Sequence, residues 1–369
     1  MKIKVLHIIS GNDNGGGASH ILSLCSKDNK YFENVLGCVG EGYLSNKVKN
    51  TNINYKIFQK KVINNEIVKY SEENDIDIVN FHGASPFLIH FFIKNKIKCK
   101  TVATVHSDYR YDFLNNKFKY YLYTPLSSLG LKSFENYITV SENLLRLLEE
   151  KQFEGKKAVV NNGIRINKFI EKESSDQLKN KFKINEDDFV FGVIARFHPI
   201  KNHENIIRAF AKFNNDNKNS KLLLLGDGES KDRIKELIVE LDLEKEVILG
   251  GFVENVGDYL KICDCTIIAS YSEGGAPPLA MLESAAMEIP VITTKVGDLE
   301  NIINFNNGIL IKSQSEKDIY ISMLEAYDKG ENLKVLGHNI KNLVLKEFTM
   351  SRFWQKYHNF YKEILKDKH

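Results

Sequence analysis

The chain has 369 residues, enough for about two domains, and 43% of them are hydrophobic, ample for two cores. The net charge of +3 gives no ground for a nucleic-acid partner and allows at most a weak attraction to an anionic membrane surface. Five cysteines without scaffold spacing point to reduced thiols, and no apolar run is long enough to span a membrane.

Lys4–Ile9 reads as a first buried strand, because the apolar run of MKIKVLHIIS is too short for a signal-peptide core. Gly11–Ser19 follows, with Gly15-Gly16-Gly17 at its centre, and a helix starts near His20. A glycine loop between first strand and first helix is a phosphate-cradle pattern. The G-x-G-x-x-G spacing is not met, and a bare tight turn accounts for the loop almost as well. Further strands are expected at Asn34–Val39, Asp77–Phe81, Lys100–Val105, Asn136–Val140 and Ala158–Asn161. Between them lie helical or loop segments at Tyr43–Lys49 and Asn64–Asn74, a helix at Phe87–Lys94, and a helix at Glu142–Lys151 capped by Ser141. This alternation is that of a doubly wound α/β domain. Asp75-Ile76-Asp77 spells a D-x-D metal pattern, but at a strand entrance, and is read as chance. His106 follows a strand, where ligand groups collect in such sheets; a structural histidine is the competing account. Tyr109–Lys132 mixes aromatics with Lys and Arg, as on a lipid-headgroup surface or, more simply, a packed helix with solvated lysines. Glu171–Asp188 is polar, shows no core face and reads as a linker.

Phe189–Ile194 opens the second half as a buried strand and runs into Ala195-Arg196-Phe197-His198-Pro199-Ile200-Lys201-Asn202, then a helix over Glu204–Phe213. Arg196 can fork two oxygens and Lys201 adds a point charge, an arrangement for gripping a diphosphate; solvated surface cations are the alternative. The strand Lys221–Leu225 precedes the tight turn Gly226-Asp227-Gly228 and a helix over Lys231–Leu241. Val247–Leu249 leads into Gly250-Gly251-Phe252-Val253 and a helix over Val256–Cys263. Cys263-Asp264-Cys265 lacks a second Cys/His pair and reads as packing. The stretch Cys265–Val296 then gives strand Thr266–Ala269, a loop of small residues Ser270–Pro278, helix Leu279–Met287 and strand Val291–Thr294. Glu273 in that loop would repel phosphate, so it is expected to accept hydrogen bonds from hydroxyls, as on a sugar, or to be a plain surface acid. Gly308–Ile311 is a last strand, followed by helices at Glu316–Lys329 and Glu331–Glu347. Ser351–Leu365 carries Trp354, Tyr357 and Tyr361 at helical spacing and is long enough to cross back onto the first domain.

In their joint order these pieces resemble the retaining glycosyltransferases of family 4, which have the GT-B fold. The resemblance covers most of the chain and includes Val140-Ser141, Asn162-Gly163-Ile164, and Ser272-Glu273-Gly274 through Glu283-Ser284-Ala285-Ala286. It implies an α/β protein of two Rossmann-like, doubly wound domains facing a central cleft. Residues 1–170 with 351–369 would bind the acceptor and residues 171–350 the nucleotide-sugar donor. Arg196 and Lys201 map onto the family's diphosphate grip. Glu273 and Glu283 map onto the acids of its E-x7-E motif, the first at the sugar and the second at the ribose. His106 maps onto the histidine near the sugar, and Gly15 and Gly16 onto the loop by phosphate and acceptor. Gly17, Gly226, Gly274 and Gly275 complete the donor contacts, with the base near Phe252 and Val253. The catalytic set implied is His106, Arg196, Lys201 and Glu273. Nine residues separate Glu273 from Glu283 where the family pattern has seven, so the donor loop is expected to be reshaped. Ala195 and Asn202 stand where the family has glycine.

The function so implied is transfer of a hexose or N-acetylhexosamine from a nucleotide-diphosphate sugar, UDP favoured, to a glycan or lipid-linked acceptor in bacterial surface polysaccharide or glycoconjugate synthesis. No metal and no cofactor is expected, since two cations and a helix dipole can replace the metal. The expected location is cytoplasmic, with peripheral contact at the inner face of the membrane. The competing accounts are a catalytically silent transferase-like partner subunit and a GT-B sugar-nucleotide epimerase.

Overall fold

The computed structural model describes residues 2–108, 110, 125–166, 169, 172–273 and 277–367. The chain divides into two compact units. The first runs to Gly163 and takes in the residues from Met350 onward; the second holds Ile164–Glu273 and Pro277–Thr349.

The first unit is built on seven parallel strands: β1 (Ile3–Ser10), β2 (Phe32–Val39), β3 (Tyr55–Phe58), β4 (Ile78–His82), β5 (Lys100–Val105), β6 (Asn136–Thr139) and β7 (Lys156–Val159). Their order is β3-β2-β1-β4-β5-β6-β7. Val5, Leu6, Ile8 and Ile9 of β1 are all buried, as in a strand covered on both faces. One apolar layer lies under the helices Gly16–Leu24 and Met350–Lys366, the other under Ile63–Glu73, Ala84–Ile93 and Glu142–Glu150. The C-terminal helix buries Met350, Phe353, Trp354, Tyr357 and Tyr361, spaced three or four apart along one stripe. Ser141 caps its helix by accepting from the Leu144 amide at 3.2 Å. β3 carries no strand signal in the sequence, because it is a short edge strand in which Tyr55 and Lys56 are exposed and only Phe58 is buried. The aromatic and basic stretch Tyr109–Lys132 lies outside the described residues at 109 and over 111–124.

The second unit has six parallel strands: β8 (Phe189–Ile194), β9 (Ser220–Leu225), β10 (Val247–Gly251), β11 (Cys265–Ile268), β12 (Val291–Thr294) and β13 (Ile309–Ile311). Their order is β10-β9-β8-β11-β12-β13. The linker expected at Glu171–Asp188 is corrected, since that stretch contains the helix Ser175–Phe182. The Ser174 side chain accepts from the Gln177 amide at 3.3 Å, the Gln177 side chain accepts from the Ser174 amide at 3.0 Å, and Leu178 is buried. A single buried leucine leaves no periodicity to read. Cys263 and Cys265 are buried, and the intervening Asp264 accepts from the Val190 amide at 2.7 Å, so this triplet is packing.

Both sheets reverse strand order once, between β1 and β4 and between β8 and β11. Chain connections leave in opposite directions there, which opens a crevice beyond the carboxyl ends of the strands.

Candidate functional site

In the second unit, the loop after β8 carries Arg196 and Lys201 and the loop after β11 carries Glu273. The two loops are tied together by backbone and side chain. The Tyr271 amide donates to the Ile200 carbonyl at 2.8 Å. Asn202, in a left-handed conformation with φ 61°, donates through Nδ2 to the carbonyls of Ala269 at 3.1 Å and Gln314 at 2.8 Å. So held, Lys201 Nζ meets Glu273 Oε1 at 2.6 Å, and Ser270 Oγ donates to the same oxygen at 2.6 Å. The Glu273 side chain is 9% exposed and that of Lys201 24%. A small pocket beside this pair is lined by Ala195, Pro278 and Ala280.

Arg196 stands apart from that pair. It is exposed and forms no ion pair among the described residues. Its loop is clasped by the turn after β9: the Phe197 amide donates to the Asp227 carbonyl at 3.0 Å, and the Ser230 amide to the Phe197 carbonyl at 3.0 Å. Gly226, with φ +148°, packs so closely that a Cβ there would collide with the Ala195 carbonyl oxygen. Phe252, just beyond β10, is 78% exposed, and Val253 is half-buried. Phe252, Gly226, Arg196 and Glu273 thus follow four neighbouring strands, β10, β9, β8 and β11, along one carboxyl edge. Glu283 is buried on the helix Leu279–Ala286. Gly274 and Gly275 lie outside the described residues.

In the first unit, the helix Gly16–Leu24 starts directly after the loop that leaves β1. Its N-terminal turn is partly satisfied from within, because Asp13 Oδ1 accepts from the amides of Gly15 at 2.9 Å and Ala18 at 3.2 Å. His106 lies against this turn, and a Cβ on Gly17 would be 3.6 Å from its Cδ2. His106 Nε2 is 2.9 Å from His82 Nδ1, and the His20 ring stands edge-on to it at 4.8 Å. Burial pushes His20 down to about 4 and His7 to about 3. Burial also holds His82 and His106 well below the ordinary range, with neighbouring histidines adding to the effect. These rings are therefore uncharged at neutral pH.

The structure brings Lys201 and Glu273 into contact, sets Gly226 against the Arg196 loop and places Gly17 beside His106. It also adds residues that sequence reasoning missed. His82 carries the signal used for His106, a histidine at a strand end, while Ser270, Asn202 and Asp13 act through geometry that only the folded loops create. Among the described residues no three His, Cys, Asp or Glu side chains are arranged to hold a metal ion.

Comparison with known proteins bears on both units. The profile of glycosyl transferases group 1 matches residues 174–343, and that of Glycosyltransferase Family 4 matches residues 16–168. The chain is 23% identical to N-acetyl-alpha-D-glucosaminyl L-malate synthase of Bacillus anthracis over 85% of its own length and 82% of that protein. It is 25% identical to the capsular polysaccharide biosynthesis glycosyltransferase CapM of Staphylococcus aureus, over 79% of this chain and 80% of CapM. Among solved structures, a glycosyltransferase from Rickettsia africae ESF-5 superposes with a TM-score of 0.84 at 20% identity, covering 100% of both chains. Anabaena HepE in complex with UDP-glucose gives a TM-score of 0.80 at 16% identity, covering 99% of this chain and 100% of that one. Both structures share the GT-B fold with this chain. The chain belongs to the family 4 glycosyltransferases and is an enzyme of GT-B fold that transfers a sugar from a nucleotide-sugar donor.

Proposed function

We propose that the enzyme is a retaining, metal-independent glycosyltransferase that uses a UDP-sugar. It moves a hexose or N-acetylhexosamine to a glycan or lipid-linked acceptor in the synthesis of bacterial surface polysaccharide or glycoconjugates. The observation that carries this is the carboxyl edge at the β8/β11 reversal, where Arg196, exposed and without an ion pair among the described residues, follows β8 and the Lys201–Glu273–Ser270 cluster joins the loops after β8 and β11. Arg196 forks the diphosphate and Lys201 turns from Glu273 toward it, so charge that builds on the leaving nucleotide is met by two cations without a metal. Freed of Lys201, Glu273 accepts from sugar hydroxyls, and the exposed Phe252 ring offers a face to the base.

In the step itself the bond from the anomeric carbon to the phosphate oxygen breaks, and its electron pair stays with UDP. The acceptor oxygen bonds to the same face of the anomeric carbon, and its proton passes to the departing phosphate oxygen. No protein carboxylate is needed as base. HepE bound to UDP-glucose and the capsular role in the name of CapM support the choice of nucleotide and of pathway class. No helix among the described residues is long and apolar enough to cross a membrane, and we place the enzyme in the cytoplasm with peripheral contact at the inner face of the membrane. The test is a panel of UDP-, GDP- and ADP-sugars offered with a bacterial lipid extract in EDTA, with released nucleotide and product configuration read by NMR. UDP release with an α-linked product from an α-donor is expected. A β-linked product, or turnover only with added divalent metal, would overturn the proposal.

A further inference from the structure

The hydrogen bonds that reach His106 run back across the first sheet. Asn34 on β2, His7 on β1, His82 on β4 and His106 just after β5 occupy four neighbouring strands. The register pairs Asn34 with Val5, His82 with Ile9 and Thr104 with His82. Each step to the next strand therefore climbs two residues toward the carboxyl edge. Two residues is the period of a strand, so all four side chains share one face. His7 Nε2 lies 3.1 Å from Asn34 Oδ1, His7 Nδ1 lies 3.1 Å from His82 Nε2, and His82 Nδ1 lies 2.9 Å from His106 Nε2.

The direction of this chain is determined at its far end. Asn34 Nδ2 donates to the Leu24 carbonyl at 3.0 Å, which turns Oδ1, an acceptor only, toward His7. His7 Nε2 must then donate, and its uncharged ring keeps a lone pair on Nδ1 for the Nε2–H of His82. The same step repeats from His82 to His106. His106 has no second hydrogen-bond partner among the described residues and keeps part of its surface open. His20, standing edge-on to it, is itself fixed by Asn162 Oδ1 and the Tyr357 hydroxyl, each at 2.8 Å.

We infer that Asn34, His7 and His82 are positioning residues that hold His106 as its Nε2–H tautomer, so that Nδ1 is offered as a hydrogen-bond acceptor to a hydroxyl of the sugar substrate. The hydroxyl rests on the glycosyl transfer proposed above; the tautomer does not. The chain orients and does not conduct. A proton taken up at His106 Nδ1 and handed on would reach His7, whose Nε2 faces an amide oxygen that cannot carry it away.

The experiment uses full-length protein labelled with 15N at histidine, with resonances assigned through single His→Gln variants. Wild type is expected to show nitrogen–nitrogen couplings across two hydrogen bonds, His7 to His82 and His82 to His106, with the proton on Nε2 of all three rings. His82→Leu, where it folds, is expected to lose both couplings and the slow solvent exchange of the His106 Nε2–H. A proton on His106 Nδ1, or no coupling in folded wild type, would overturn the inference whether or not the variant folds. UDP titrated into the same sample reports separately on the proposed function. Couplings without UDP binding would count against the nucleotide assignment alone, and UDP binding without couplings would count against the positioning of His106 alone.

Discussion

Acidification should unfold the first unit before the second, and the buried histidines supply the magnitude. Burial lowers His7 to about 3, His20 to about 4 and His90 to about 3 in the first unit, and His203 to about 4 in the second. Each ring titrates near 6.5 in the unfolded chain, so between that value and the folded one the unfolded state binds the extra proton. The folded state is therefore favoured above 6.5 and loses stability as the pH falls toward 4. From pH 7.5 to pH 5 each ring costs about 2 kcal/mol, which is about 6 kcal/mol for the first unit and about 2 kcal/mol for the second. His82 and His106 add to the first unit in the same direction. A loss of that size is comparable to the whole stability of a domain. Trp354 is the chain's single tryptophan; it lies buried in the C-terminal helix with Nε1 donating to the Ser23 carbonyl at 3.1 Å, so its fluorescence reports on the first unit. Urea unfolding followed by Trp354 at pH 7.5, 6.5 and 5 should show that loss, while far-ultraviolet circular dichroism keeps a more acid-resistant component. A change in the Trp354 transition below about 1 kcal/mol would refute the buried, uncharged histidine cluster.

Lys201→Ala leaves Glu273 largely buried without its cation and should lower stability by about 1–3 kcal/mol in urea, a figure reduced from the fully buried case because Lys201 is partly exposed. Adding Glu273→Gln should recover part of that loss, and additive losses would count against the pair. Gly226→Ala should destabilise by about 2 kcal/mol or more, since the new Cβ meets the Ala195 carbonyl and φ is positive. Gly16→Ala, in open space in the first helical turn, should be neutral or mildly stabilising by thermal melting. Equal effects at the two glycines would contradict the close approach of Gly226 to the Ala195 carbonyl.

The sheets were legible because parallel strands buried on both faces leave apolar runs. Lys100–Val105 and Phe189–Ile194 match their observed bounds, and Lys221–Leu225 falls one residue short of its own. Placing Arg196, Lys201 and Glu273 at strand ends followed from those runs. What was not legible is the pairing between side chains. That Lys201 meets Glu273, and that Asn202 ties their loops through the Ala269 carbonyl, depends on the β8–β11 adjacency, which joins residues some seventy positions apart. The histidine ladder is hidden for the same reason: His7 sits in an apolar run and reads as an ordinary strand residue until β2, β1, β4 and β5 are set side by side. The helix Ser175–Phe182 escaped notice because its signal is a capping box with one buried leucine.

The edge at β8 and β11 is proposed to hold a nucleoside diphosphate without a metal. Calorimetric titration of UDP into wild type and Arg196→Ala, both in EDTA, tests it most directly, because Arg196 is exposed and unpaired among the described residues and its loss should leave the fold unchanged. One binding site in wild type, weakened at least about tenfold in the variant by loss of a charge-assisted pair, is the predicted result. Absence of binding in EDTA, or equal affinity in the two proteins, would contradict it.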